Sequence, residues 1–200
     1  MSLDLIKAVP ASLKRHPAIR NVELTGSRKK GTATGWSDWD FAVETTDLDV
    51  VSVSLPRLIR SLDPISYLWD PLSDSWVFMT ILKGPVKVDL IFDIPHQHEP
   101  PWTLNKDTLN AINNHFWDWI WWIAGKYIRR LENMVREELK KMYSFLLYPL
   151  GAKSAPVSVE EAVGIFLSAF QKQKDLLQQE LDPALETEVC LGLRIMGFKI

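Results

Sequence analysis

The stretch Pro95-His96-Gln97-His98-Glu99-Pro100-Pro101 can continue neither a strand nor a helix, because its three prolines fix φ and remove backbone donors. It divides the 200 residues into two segments of different character. Residues 1–104 hold most of the short β-branched and aromatic runs and most of the turn residues, whereas residues 105–200 read as helices. The expected fold class is therefore α+β: a mixed β-sheet domain over 1–104, followed by an α-helical bundle domain over 105–200. At 46% hydrophobic and 24% charged residues, the chain can bury a core, and whole-chain disorder is excluded.

In the first segment, a helix is expected from Leu3 to Arg15, with Pro10 as a break. Strands are expected at 19–25, 40–44 and 65–69, and a helix at 51–62. Residues 76–82 and 86–92 read as a hairpin turning at Lys83-Gly84-Pro85. In the second, Asp107 is placed to cap a helix running to about Arg130, with an apolar stripe through Leu109, Ile112, Phe116, Ile120, Ile123 and Tyr127. A second stripe runs from Leu131 to Leu146 and is closed by Pro149 and Gly151. Ser158-Val159-Glu160-Glu161 is a capping-box pattern opening a third helix, and a fourth starts at Pro183. The nine tryptophans, four of them at 117, 119, 121 and 122, read as core packing, with stacking on a nucleobase or sugar as the alternative.

A net charge of -2 argues against a partner held mainly by a nucleic-acid backbone, although a small anionic ligand needs only local positive charge. The single cysteine, Cys190, excludes an intrachain disulfide framework and fits a reducing compartment. No apolar run has the length of a membrane span, and no secretory signal is visible, so a soluble, cytoplasmic protein without membrane partners is the expectation.

The chemistry concentrates in Leu24-Thr25-Gly26-Ser27-Arg28, a polar glycine-containing loop, and then Ser37-Asp38-Trp39-Asp40-Phe41-Ala42-Val43. Gly26 and Ser27 follow a strand, where glycine lets a ligand approach the backbone and free N–H groups attract phosphate. Arg28, Lys29 and Lys30 add positive charge. Asp38 and Asp40 would share one face of a strand, an arrangement that is costly unless a cation sits between them. Asp89 lies in an otherwise apolar strand, so it needs a metal or a partner such as Lys87 or Arg28. If its strand lies beside that of Asp38 and Asp40, three carboxylates converge. Two Mg²⁺ ions held about 3.5–4 Å apart could then clamp an in-line displacement at phosphorus. His96 and His98 lack a third soft ligand and read as solvent-exposed. The mixed charges of Glu132 to Lys141 read as an exposed helix face.

The Gly-Ser turn, the Asp-x-Asp pair and the later Asp, spanning roughly residues 19–92, together resemble the nucleotidyltransferase superfamily with the DNA polymerase β fold. The stretch Asn114-His115-Phe116-Trp117 ahead of a Lys- and Arg-bearing helix, and Asp89-Leu90-Ile91 ahead of Pro95, are similar to segments of the aminoglycoside 6-adenylyltransferase group. The resemblance implies that Asp38, Asp40 and Asp89 are the catalytic metal ligands. It also implies that Gly26 and Ser27 hold the β- and γ-phosphates of ATP or another nucleoside triphosphate. The acceptor oxygen would attack the α-phosphorus and pyrophosphate would leave. Asp89 would lie near the acceptor hydroxyl, with the active site in a cleft between the two domains.

Some relatives carry a glutamate base in the first helix of the second domain, and none can be placed here. Helical spacing puts His115, Asp118, Trp122, Lys126 and Arg129 near one face, which makes Asp118 the substitute general base and Lys126, with Arg28, a nucleotide ligand. The chain is shorter than typical members of the group, so part of the acceptor pocket would be absent or supplied by a second subunit in a homodimer. The expected activity is transfer of AMP, or another nucleoside monophosphate, to a hydroxyl of a small acceptor, with an aminoglycoside as the family-level guess. A cationic acceptor would need acidic walls such as Glu99, Asp107 and Asp118. The alternatives are a protein adenylyltransferase of the toxin–antitoxin type and a nucleotide-binding module without catalysis.

Overall fold

The computed structural model describes residues 4–200, which form two compact units parted between His98 and Glu99. The first unit is a five-stranded mixed sheet with helices. Its elements are α1 (Leu5–Leu13), β1 (Ile19–Leu24), the single turn α2 (Gly26–Lys29), β2 (Trp39–Thr45), α3 (Leu48–Leu58), a 3₁₀ turn (Ile59–Leu62), β3 (Pro64–Trp69), β4 (Ser75–Leu82) and β5 (Val86–Pro95). Spatial order is β1-β2-β5-β4-β3. Only β2 and β5 pair in parallel, and every other neighbour is antiparallel.

Alternation along the strands sorts the sheet into two faces. Val22, Phe41, Val43, Phe78, Leu82, Val88, Leu90 and Phe92 point to one face and pack against Leu5, Val9 and Leu13 of α1 and Val51 and Leu55 of α3. The opposite face carries Asp40, Lys87 and Asp89, with Met79 paired to Asp89 and Ile81 to Lys87.

The helix expected at 51–62 starts earlier, because Asp47 caps it: its Oδ1 accepts from Val50 N at 3.1 Å. Leu3 lies outside the described residues, and α1 begins at Leu5. Pro10 does not break α1, since Lys14 N still bonds Pro10 O at 2.9 Å and closes the last turn.

The second unit holds α4 (Leu109–Ile128), α5 (Glu132–Met142), a π turn (Tyr143–Leu147), α6 (Val159–Leu177) and α7 (Ala184–Ile195). Helices α5, α6 and α7 all contact α4. The single apolar stripe expected on α4 is too narrow a description. Residues all around it are buried, including Asn113, His115 and Asp118, as suits a central helix. Asp107 is not its cap. Asn105 Oδ1 instead accepts from the N–H groups of both Asp107 and Thr108. Trp117, Trp119 and Trp121 are buried and the other six tryptophans are half-buried; Trp117 Nε1 donates to Asn113 Oδ1 at 3.1 Å and Trp119 Nε1 to Glu138 Oε2 at 3.0 Å. Ser158 caps α6 through Glu161 N at 3.1 Å, and the Glu161 carboxylate accepts from Val157 N at 2.8 Å, one residue before the usual capping-box partner. Among the described residues, no helix is long and apolar enough to cross a membrane.

Candidate active site

The site begins where β1 ends. Gly26 has φ +62°, a left-handed conformation that opens α2 directly after the strand. Glycine is required there twice over, because a Cβ on Gly26 would overlap the Asp40 carboxylate. Thr25 N donates to Asp40 O at 2.7 Å and ties the turn to β2. The Gly26–Ser27 turn and Asp40 are thus one piece of structure, as the motif spacing led one to expect.

The parallel pairing of β2 with β5 places Asp40 directly opposite Asp89. Neighbouring strands lie about 4.8 Å apart, and opposed residues share a face, so these two carboxylates are brought together from distant positions in the chain. Asp38 precedes β2 by one residue and is buried. Arg28 acts on the backbone around it. Its Nε donates to Asp38 O at 3.0 Å, a terminal nitrogen donates to Ser37 O, and the guanidinium lies 4.0 Å over the Trp39 ring. Burial lowers the Arg28 pKa from its usual value, while the charges of Asp38 and Asp40 oppose that shift. The guanidinium expected to reach for phosphate is therefore engaged as a clamp on the Asp-x-Asp loop.

Asp89 has the ion-pair partner that its apolar strand demanded. Lys87 Nζ, whose side chain is 2% exposed, donates to Asp89 Oδ1 at 2.7 Å. Stripping one partner from such a buried pair costs about 3–5 kcal/mol, because it leaves an uncompensated charge. Asp70, at the end of β3, was not singled out from the sequence; its only signal there is an Asp-Pro step closing a weak strand. Its Oδ1 accepts from Leu72 N at 2.9 Å. Burial raises its pKa above the usual carboxylate range; Leu72 N–H, Lys87 and His96 pull the other way, and the charge of Asp89 adds to the rise.

In donor chemistry the group suits a hard divalent cation, since every candidate ligand is a carboxylate. The expected three-carboxylate cluster is nevertheless not closed. Among the described residues, no three His, Cys, Asp or Glu side chains converge closely enough to hold a metal ion. Lys87 holds Asp89, and Arg28 stands by Asp38 and Asp40. Asp38 and Asp40 have the donor chemistry for a hard cation, and Asp89 is engaged by Lys87.

No protein-family model and no curated protein matches the chain. Solved structures to which it is similar include two. One is an aminoglycoside 6-adenyltransferase from Bacillus subtilis, at 11% identity and TM-score 0.33 over 96% of this chain and 97% of that one. The other is a cytoplasmic RNA terminal U-transferase, at 13% identity and TM-score 0.36 over 71% of this chain and 43% of that one.

The candidates in the second unit are arranged differently from the shared polar face expected of them. His115 and Asp118 are buried within α4. His115 Nδ1 accepts from Trp102 Nε1 at 3.2 Å, and its ring stacks on Trp119. Lys126 Nζ lies 4.3 Å over the Trp122 ring. Glu99 and Asp107 are exposed, unlike Asp118. His98 is exposed and pairs with Asp74 at 3.0 Å, whereas His96 is half-buried against Trp76.

Proposed function

We propose that the chain is a nucleotidyltransferase that moves a nucleoside monophosphate, AMP in the simplest case, from a nucleoside triphosphate to a hydroxyl of a small acceptor. The observation that carries this reading is the register of Asp40 with Asp89, on the face where Asp40 abuts the Gly26 turn. A left-handed glycine turn beside carboxylates on neighbouring strands is suited to handling a metal–triphosphate complex.

In this reading the left-handed Gly26 turn and Ser27 receive the β- and γ-phosphates through backbone N–H groups and the Ser27 hydroxyl. Asp38 and Asp40, held by the Arg28 clamp, orient the complex. A divalent ion held by this pair would supply positive charge against the phosphates and align the α-phosphoryl group for attack. Asp89 lies next along the sheet, where its carboxylate can accept the proton of the incoming hydroxyl once Lys87 is displaced.

Purified protein incubated with labelled ATP, Mg²⁺ and a panel of hydroxylated acceptors should release pyrophosphate and label an acceptor. Asp40→Asn should abolish both while leaving the circular dichroism and melting profile in place. Unchanged turnover in that variant would refute the carboxylate mechanism.

A further inference from the structure

The sheet ends in β1 on one side and β3 on the other, and the two edges are finished differently. Thr25 N donates to Asp40 O, so residues 23 and 25 turn their backbone groups towards β2, and Val22 turns its N–H outward. That N–H is met by Asn21 Oδ1 at 3.0 Å. Asn21 Nδ2 donates to Glu23 Oε1 at 3.0 Å, and Lys29 pairs with Glu23 at 3.7 Å. A polar, charged network thus guards the β1 edge against another strand.

β3 has no such guard. Pro64-Ile65-Ser66-Tyr67-Leu68-Trp69 carries no charge, and its proline and its bulge both sit at its first end. Asp70 N donates to Val77 O at 2.8 Å. Residues 66, 68 and 70 therefore face β4, while Tyr67 and Trp69 turn their N–H and C=O groups outward. Among the described residues, no protein group hydrogen-bonds to these outward groups. The Tyr67 side chain beside them is 43% exposed.

We propose that β3 pairs antiparallel with β3 of a second copy of this chain, about a two-fold axis at Leu68. In that register Tyr67 exchanges ladder hydrogen bonds with Trp69 of the second copy, and Leu68 meets Leu68. Ser66 stands opposite Asp70 of the second copy on one face, and no like charges are opposed. The Ser66 hydroxyl has no hydrogen-bond partner within the chain, and this pairing gives it a carboxylate to donate to. Both β3 edges are consumed, and the joined sheet ends in two guarded β1 edges, so assembly stops at the dimer. With β4 and β5 between the joint and β2, each copy keeps its own Gly26 turn and Asp40 clear of it. The pairing does not depend on the transfer reading.

Sedimentation of the full chain over a wide concentration range tests this. Wild type should pass from monomer to dimer and form nothing larger. Tyr67→Lys places a charge on the edge at an exposed side chain. It should keep the circular dichroism of wild type and stay monomeric where wild type is dimeric. Leu68→Cys should lock into a covalent dimer under mild oxidation, because opposed residues without ladder bonds bring their side chains closest. Wild type, whose single cysteine is buried, should not lock. A monomeric wild type, assemblies that keep growing, or a folded Tyr67→Lys that still dimerises overturns the proposal. So does a dimer that Leu68→Cys cannot lock. The wild-type result decides even where a variant fails to fold.

Discussion

Gly26 is where backbone and side-chain chemistry meet most tightly. Gly26→Ala must carry a left-handed backbone, at about 1–2 kcal/mol, and must also push the Asp40 carboxylate aside. The expected outcome is a urea midpoint lowered by that order and a loss of transfer larger than the lost stability explains. Activity assayed well below the unfolding midpoint would check this. Arg28 gives a milder case. Arg28→Lys keeps the charge but loses the fork that spans Ser37 O and Asp38 O, so turnover should fall while the melting temperature moves little. Asp70 makes a pH prediction. Its folded pKa is raised, chiefly by burial, so its favourable contribution is fully present below the usual carboxylate pKa. That contribution is lost as pH rises through the raised value, and above it the ionised group weakens the fold. Asp70→Asn should therefore melt higher than wild type at pH 7, and the gain should shrink as pH falls through the carboxylate range. Melting curves from pH 3 to pH 7 would show it, and a gain independent of pH would contradict it.

At the scale of elements, β4 sets its one buried hydroxyl among apolar partners. Thr80 is 1% exposed, and its Oγ1 has no hydrogen-bond partner. It lies on the packed face, between Phe78 and Leu82. Thr80→Val keeps the shape and removes the orphaned group, and should stabilise the protein by about 1 kcal/mol, readable as a higher denaturant midpoint. Strands and helices of this kind were legible in the sequence because burial on one face imposes a period that the residues display. The hairpin at Lys83-Gly84-Pro85, the cap at Ser158 and the break near His98 follow from that period and from turn chemistry. What escaped depends on tertiary pairing. The cap at Asp47 lies four residues ahead of the helix start expected at residue 51. Asp70 matters only because β3 ends near Lys87 and Asp89. Of the candidate site, the sequence offered a set of side chains and favoured a metal at Asp89, with Lys87 or Arg28 as the other partner that an acid in an apolar strand admits.

For the molecule as a whole, each unit has its own buried centre, one built on the sheet face and one around α4. The net charge of -2 implies weak, salt-sensitive contact with polyanions at most. The protein should pass through a heparin column at physiological salt, and retention there would point to an extended nucleic-acid acceptor in place of a small one. The one parallel pairing has a kinetic meaning. Residues 40 and 89 pair across an intervening helix and two strands, a long-range contact of the kind that slows folding. During refolding, native-like circular dichroism should therefore precede recovered turnover, because a half-made sheet has no working centre to misuse.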